Sequence, residues 1–180
     1  MVNTKARLLS WFRAPVTEED FEQIYRIELP KIYNFFRYRV GDGPVAEDLT
    51  AETFEKAWRK RHLYKRDLAS FSTWLFAIAR RVAIDHYRDQ QPTTLLENAS
   101  RIAAGKTPEE FSQERSDFER LSFLLGQLDD RQRELVALRY GAGLTNRAIA
   151  DLTDLSESNV GVILHRTLKH LRVNWEETNE

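Results

Sequence analysis

The chain has 180 residues, 42% of them hydrophobic and 31% charged, with a formal net charge of −1. That balance is the profile of a folded chain of one compact domain or two small ones, and it excludes a whole-protein field that would draw in nucleic acid. There is no cysteine, which excludes a disulfide framework and a thiolate metal site and fits the cytoplasm.

The opening MVNTKARLLSWFRAP carries Lys5 and Arg7, but Arg13 interrupts its apolar patch too soon for a secretory signal. Residues 1–16 read as an N-terminal extension, either a tail or a short helix built on Leu8, Leu9, Trp11 and Phe12. No apolar run approaches the ~18 residues of a membrane span, so no membrane attachment is expected of the chain by itself.

The spacing predicts a helix over about 17–40, with Pro30 as a place for a kink. GDGP at 41–44 is a turn, and Pro44 suits the first turn of a helix over about 44–62. On that helix Leu49, Thr53 and Ala57 form one stripe, with Phe54 and Trp58 beside it. Its front half is acidic (Glu47, Asp48, Glu52, Glu55), as suits a helix N-terminus, and its tail is basic. A loop, LYKRDLASF, follows at about 63–71, then a helix over about 72–90 that buries Trp74, Leu75, Ile78 and Val82.

Residues 91–106 lack a strong period and read as a linker. Thr107 to Glu110 forms a capping box opening a helix to about Leu125, and Asp129 opens another to about Tyr140, which Gly141–Gly143 stops. The expected architecture is all-α: two small helical domains, 17–90 and 107–176, joined by a flexible linker, with a tail at 177–180. Residues 1–90 carry 16 Lys and Arg against 13 Asp and Glu, or +3, and residues 91–180 carry 11 against 15, or −4. Any contact with DNA therefore has to come from local patches.

The segment TNRAIADLTDLSESNVGVILHRTLKHLR has the pattern of a helix-turn-helix. Thr145 caps a short helix, Leu155 plugs the turn and Ser156 caps a second helix with Val160, Ile163 or Leu164, Thr167 or Leu168, and Leu171 inward. Asp154 stands where the turn often uses Gly, because the left-handed backbone is costly for other residues. The outward face holds Ser158, Asn159, Gly161, Val162, His165, Arg166, Lys169 and Arg172. Gly161 permits close backbone approach and Val162 could meet thymine methyls. Arg166 could read guanine or hold phosphate, while Lys169 and Arg172 suit phosphate. The same spacing also fits a plain pair of packed helices with Val162 and Ile163 as core.

Three segments occur in order: VAEDLTAETFEKAWRKR, then FSTWLFAIARRVAIDHYR, then LDDRQRELVALRYGAGLTNRAIADLTDLSESNVGVILHRTLKHLR. Over roughly residues 20–174 the chain resembles an extracytoplasmic-function (group 4, sigma-70 family) sigma factor of bacterial RNA polymerase. The resemblance implies that the region 2.2-like segment, with Glu47, Asp48, Glu52 and Glu55, docks on the β′ clamp helices of core polymerase. It implies that the loop with Tyr64, Lys65 and Arg66 and the next helix, with Trp74, Arg80, Arg81 and Arg88, open and hold the −10 element. Tyr64 and Phe76 are candidate stacking surfaces for flipped bases, each stacked base contributing about 1–3 kcal/mol. The second domain would be region 4, placing Ser156–Arg172 in the −35 major groove and meeting the β flap. The chain departs from the family pattern at Ala51, where Gln is common, at Arg81, where Asn is frequent, and at Gly161, Val162 and Ile163, where Lys or Arg, Ser and Arg are frequent.

No catalytic motif appears, and His62, His86, His165 and His170 form no metal pattern, so neither an enzyme nor a cofactor is expected. The rival reading is an ordinary helix-turn-helix regulator that binds two half-sites as a dimer without being a polymerase subunit. The resemblance implies instead a cytoplasmic chain, monomeric when free, partnered by core RNA polymerase, promoter DNA and an anti-sigma factor.

Overall fold

The computed structural model describes residues 16–89 and 117–177. The expectations for residues 1–15, for the linker at 91–106, for the Thr107 capping box and for the last residues of the tail lie outside the described residues. Among the described residues there are helices and turns but no strand, so the all-α expectation holds.

Helix α1, Glu18–Val40, starts at a capping box: the Thr17 hydroxyl accepts from the Asp20 amide at 3.1 Å, and the Asp20 carboxylate accepts from the Thr17 amide at 3.2 Å. It runs through Pro30 without a break and ends at Gly41, whose φ of 77° suits a residue without a Cβ. Helix α2, Gly43–Lys60, is capped by Asp42, which accepts from the Val45 amide at 2.9 Å, with Pro44 in its first turn. The first turn of α2 itself carries no acid. Glu47, Asp48, Glu52 and Glu55 therefore lie beyond the reach of the helix dipole, which fades within one turn; Asp42 does the work expected of them. A short 3₁₀ turn, Arg61–Leu63, leads to the loop, and helix α3, Phe71–Asp89, follows.

These three helices pack around Ile32, Phe35, Phe36, Phe54, Ala57, Leu75, Phe76 and Val82. Thr50 and Thr53 also sit inside, because their hydroxyls donate back to the Ala46 and Leu49 carbonyls at 2.6 and 2.8 Å. Buried Glu28 is satisfied by Lys31 at 3.1 Å and by the Ser72 hydroxyl at 3.2 Å, tying α1 to α3.

The second group comprises α4, Asp117–Gly126; α5, Asp130–Val136; a π-helical turn, Ala137–Gly141; α6, Asn146–Thr153; and α7, Glu157–Glu177. Asp129 caps α5 by accepting from the Gln132 amide at 2.8 Å. The helix expected to reach Tyr140 changes register at Val136: the Ala142 amide bonds to Ala137 O at 2.9 Å, a five-residue span. Buried Arg133 closes the end of α4 by donating to the carbonyls of Leu125, Gly126 and Leu128 at 2.8, 2.7 and 3.0 Å.

The two groups pack on one another. Their buried residues form one hydrophobic cluster, and α1 lies against α4, α5 and the π turn, while α3 meets α6. Arg39, its side chain 1% exposed, pairs with Asp130 at 2.8 Å beneath the Tyr87 ring, and the Tyr87 hydroxyl donates to Arg39 O.

Candidate nucleic-acid interface

The helix-turn-helix is built from local caps. The Thr145 hydroxyl accepts from the Ala148 amide at 3.2 Å to start α6, and the Ser156 hydroxyl accepts from the Asn159 amide at 3.1 Å to start α7. Between them Asp154 adopts φ 54°, the left-handed conformation that its short polar side chain tolerates. Val160, Leu164, Thr167 and Leu171 face inward, and Ile163 and Leu168 are half-buried beside them. Ser158, Asn159, Val162, His165, Arg166, Lys169 and Arg172 are exposed along the opposite side of α7. Gly161 is half-buried, and a Cβ there would lie 3.5 Å from Asn146 Nδ2 at the start of α6. What approaches its backbone in the folded chain is thus the neighbouring helix of the motif.

The loop before α3 is held by aromatic packing. Tyr64 packs against Phe71 with ring centroids 5.0 Å apart and against Trp74 at 5.5 Å, and its hydroxyl donates to Ala69 O at 2.9 Å. Burial pushes the Tyr64 phenol above its ordinary pKa, so the donor proton is retained at neutral pH. Phe76 is fully buried, packed edge-on against Phe35 at 6.0 Å, so it cannot be the stacking surface expected of it; it lies on the face of α3 that meets α1. Lys65 is exposed, and Arg66 reaches back to Asp20 at 3.2 Å. The Asp20 carboxylate is held below its usual range by the Thr17 backbone amide and hydroxyl first, and by Arg66 after them. The loop also exposes Leu63 and Leu68, at 59% and 75%, which no sequence period marks out. Two bare apolar side chains flanking Lys65 add a surface on which bases could rest.

Along α3 the cations are not idle. Arg80 makes a two-pronged bond to Glu134 of α5, Nε to Oε1 at 2.9 Å and a terminal nitrogen to Oε2 at 3.3 Å. Arg81 lies 3.7 Å and Arg88 3.1 Å from the Asp85 carboxylate on the same helix. On α2, Glu47 and Asp48 are exposed, whereas Glu52 and Glu55 pair with Lys56 and Arg59, each at 2.6 Å. Leu49 is buried and Trp58 is half-buried under the Arg61 guanidinium, 3.6 Å from its ring centre. Three patches result: an acidic stretch on α2, an aromatic-backed cationic loop running into α3, and a polar-to-basic face on α7.

Comparison with known proteins gives two family matches: Sigma-70 region 2 over residues 24–93 and Sigma-70, region 4 over residues 118–171. The chain is similar to the ECF RNA polymerase sigma factor SigX of Bacillus subtilis, 30% identical over 91% of this chain and 87% of that protein. It is also similar to the ECF RNA polymerase sigma factor BldN of Streptomyces coelicolor, 28% identical over 88% of this chain, which spans 62% of that protein's length. Among solved structures, the sigma factor RpoE of Bartonella quintana, in complex with the anti-sigma factor NepR, shares the fold with a TM-score of 0.67 at 20% identity, over 88% of this chain and 98% of that one.

Proposed function

This chain belongs to the extracytoplasmic-function sigma factors of the sigma-70 family, alternative sigma factors that direct transcription initiation by RNA polymerase, and we propose how its surfaces divide that work. The exposed face of α7 enters the −35 major groove: Ser158, Asn159 and Val162 lie nearest the bases, Arg166 and His165 at the edge of the base step, and Lys169 on phosphate. Gly161 lies at the seam with α6 and acts by spacing rather than by contact. The loop carrying Tyr64, Lys65 and Arg66 and the helix carrying Trp74, Arg80, Arg81 and Arg88 take the opened −10 strand. Tyr64 and Trp74 serve there as the wall of the loop, and Leu63 and Leu68 offer apolar surface to the bases. Glu47 and Asp48 dock on the β′ clamp helices, with Glu52 and Glu55 contributing less because Lys56 and Arg59 already neutralise them. The second domain meets the β flap.

The observation that carries this reading is the capped helix-turn-helix with its exposed polar and basic face, in one chain with an aromatic-backed cationic loop. The contribution of the chain is binding and positioning rather than chemistry, and it acts in the cytoplasm beside core polymerase. An anti-sigma protein holds it inactive, a reading supported by the Bartonella sigma factor's being in complex with an anti-sigma factor of its own. The test is gel filtration with bacterial core RNA polymerase followed by transcription of a fragmented genomic library. Co-migration with new promoter-specific transcripts is expected. A dimer that binds DNA alone and ignores polymerase would make the chain an ordinary helix-turn-helix regulator.

A further inference from the structure

We propose that Asp85 is a positioning residue for the −10 strand. It aims Arg81 and Arg88 from one shared carboxylate, so that a strand in the matching register is held by both, and a strand in any other register leaves a part-buried charge unpaired. The inference rests on the assignment of α3 to the −10 element.

The outward face of α3 is sparse in charge. Ala77, Arg81, Ile84 and Arg88 follow one another along it at helical spacing, all exposed. The two cations therefore stand about 10 Å apart along the axis, with apolar Ile84 between them. Left to themselves, like charges so placed repel and each meets a strand independently. Asp85, the residue after Ile84, draws them together: its Oδ1 lies 3.7 Å from Arg81 Nε and 3.1 Å from a terminal nitrogen of Arg88.

The partners differ in freedom. The arginine side chains are 71% and 63% exposed, whereas that of Asp85 is 26% exposed. Its Oδ1 is closed to solvent and has no hydrogen bond among the described residues, so it holds the arms by charge alone. The short carboxylate cannot follow a guanidinium outward. Asp89, 3.5 Å from Arg88 Nε, is 74% exposed and can move aside.

A guanidinium carries five N–H donors in a planar fork. Arg81 turns its Nε to Asp85 and keeps both terminal nitrogens for a strand; Arg88 turns one terminal nitrogen inward and keeps the other. Phosphates that meet the arms where they stand leave Asp85 compensated. A strand in another register has to pull an arm away and leave the carboxylate behind, uncompensated. Phosphate contacts fix register rather than read bases. Asp85 thus sets which bases arrive at the loop carrying Leu63 and Leu68, without touching DNA itself.

The test uses the full chain in complex with core polymerase and two fluorescent single-stranded 12-mers. One carries the −10 element of a promoter transcribed by the complex, and the other has the same bases scrambled. Asp85→Asn removes the charge at nearly constant shape and breaks no hydrogen bond to Oδ1. The scrambled strand gains the registers that Asp85 penalises, so it should bind this variant roughly three- to fivefold more tightly than the parent, with a salt slope steeper by ~0.7. Affinity for the promoter strand should stay within about twofold, so the preference for it falls. Arg81→Lys, at an exposed position, keeps the charge and loses the fork; its preference should fall through weaker binding of the promoter strand. Unchanged preference in either folded variant would overturn the proposal. So would an equal loss on both strands in Asp85→Asn, which is what a merely bracing carboxylate gives. A parent complex that does not distinguish the strands would instead remove α3 from the −10 element, and the inference would fall with it.

Discussion

Replacing Arg133 with Met keeps an apolar stem of similar length and removes one buried guanidinium. Arg133 is 7% exposed and donates three bonds, to the carbonyls of Leu125, Gly126 and Leu128, so the substitution removes the side-chain donor from three carbonyls at and just past the end of α4, of which Leu125 keeps only the Leu128 amide at 3.2 Å. Bonds from a charged donor contribute about 1.5–3 kcal/mol each, but the charge no longer has to be desolvated and water can reach part of the gap. The net loss should be about 2–4 kcal/mol. At this chain length that is a fall in Tm of roughly 5–15 °C. Urea denaturation followed by far-ultraviolet circular dichroism measures it, with the midpoint moving and the slope unchanged. A change within about 0.5 kcal/mol of the parent would refute the reasoning, because it would put a buried three-carbonyl cap in the class of surface substitutions. Well below its own Tm the variant should bind −35 DNA normally, since Arg133 stands behind the helix-turn-helix and not on α7.

Arg166→Ala should do the opposite, leaving stability alone and weakening a −35-dependent promoter by about 1–3 kcal/mol if the guanidinium reads a base, while Lys169→Ala should lower the salt slope by about 1 if it holds phosphate. Quantitative footprinting of the polymerase complex at several salt concentrations separates the two, and no loss in either would remove α7 from the groove. Glu47→Lys with Asp48→Lys should weaken polymerase binding more than Glu52→Gln with Glu55→Gln, because the latter acids are already paired at 2.6 Å; equal losses by competition binding would contradict this. Asp20, whose folded pKa is depressed, contributes stability that is present above the ordinary value near ~3.9 and lost as pH falls through the folded value. The stability gap between the parent and Asp20→Ala should thus hold steady from pH 7 to about 5 and shrink below about 4; a gap that grows on acidification would show that the Thr17 cap does not favour the ionised carboxylate.

What sequence reasoning reached is what local chemistry decides. Asp129, Thr145 and Ser156 cap helices where expected, each marked by residue type just ahead of an apolar period, whereas the caps at Thr17 and Asp42 are seen only in the structure. Asp154 in the left-handed region follows from the turn it must make. The π turn did not show, because it depends on the Ala142 amide finding Ala137 O rather than the carbonyl one residue nearer, which packing against α1 decides. Phe76 looked available because helical spacing leaves two faces of α3 apolar, and only the docked α1 says which is covered. The Arg80–Glu134 and Arg39–Asp130 pairs span 54 and 91 residues, distances over which no periodicity speaks.

That last omission changes how the near-neutral charge should be understood. The cations assigned to the −10 strand mostly face internal acids: Arg66 meets Asp20, Arg80 meets Glu134, and Arg81 and Arg88 share Asp85. For these groups DNA binding is an exchange, one anion for another, rather than the addition of a cation to a bare phosphate. Exchange releases a DNA counterion but also strands a carboxylate, so its net free energy is smaller than for an unpaired cation. Strand capture by the loop and α3 should therefore be weaker than the number of their cations suggests. Arg166 and Lys169, by contrast, stand exposed on α7. The charges alone therefore put more of the chain's own affinity for phosphate on α7 than on α3.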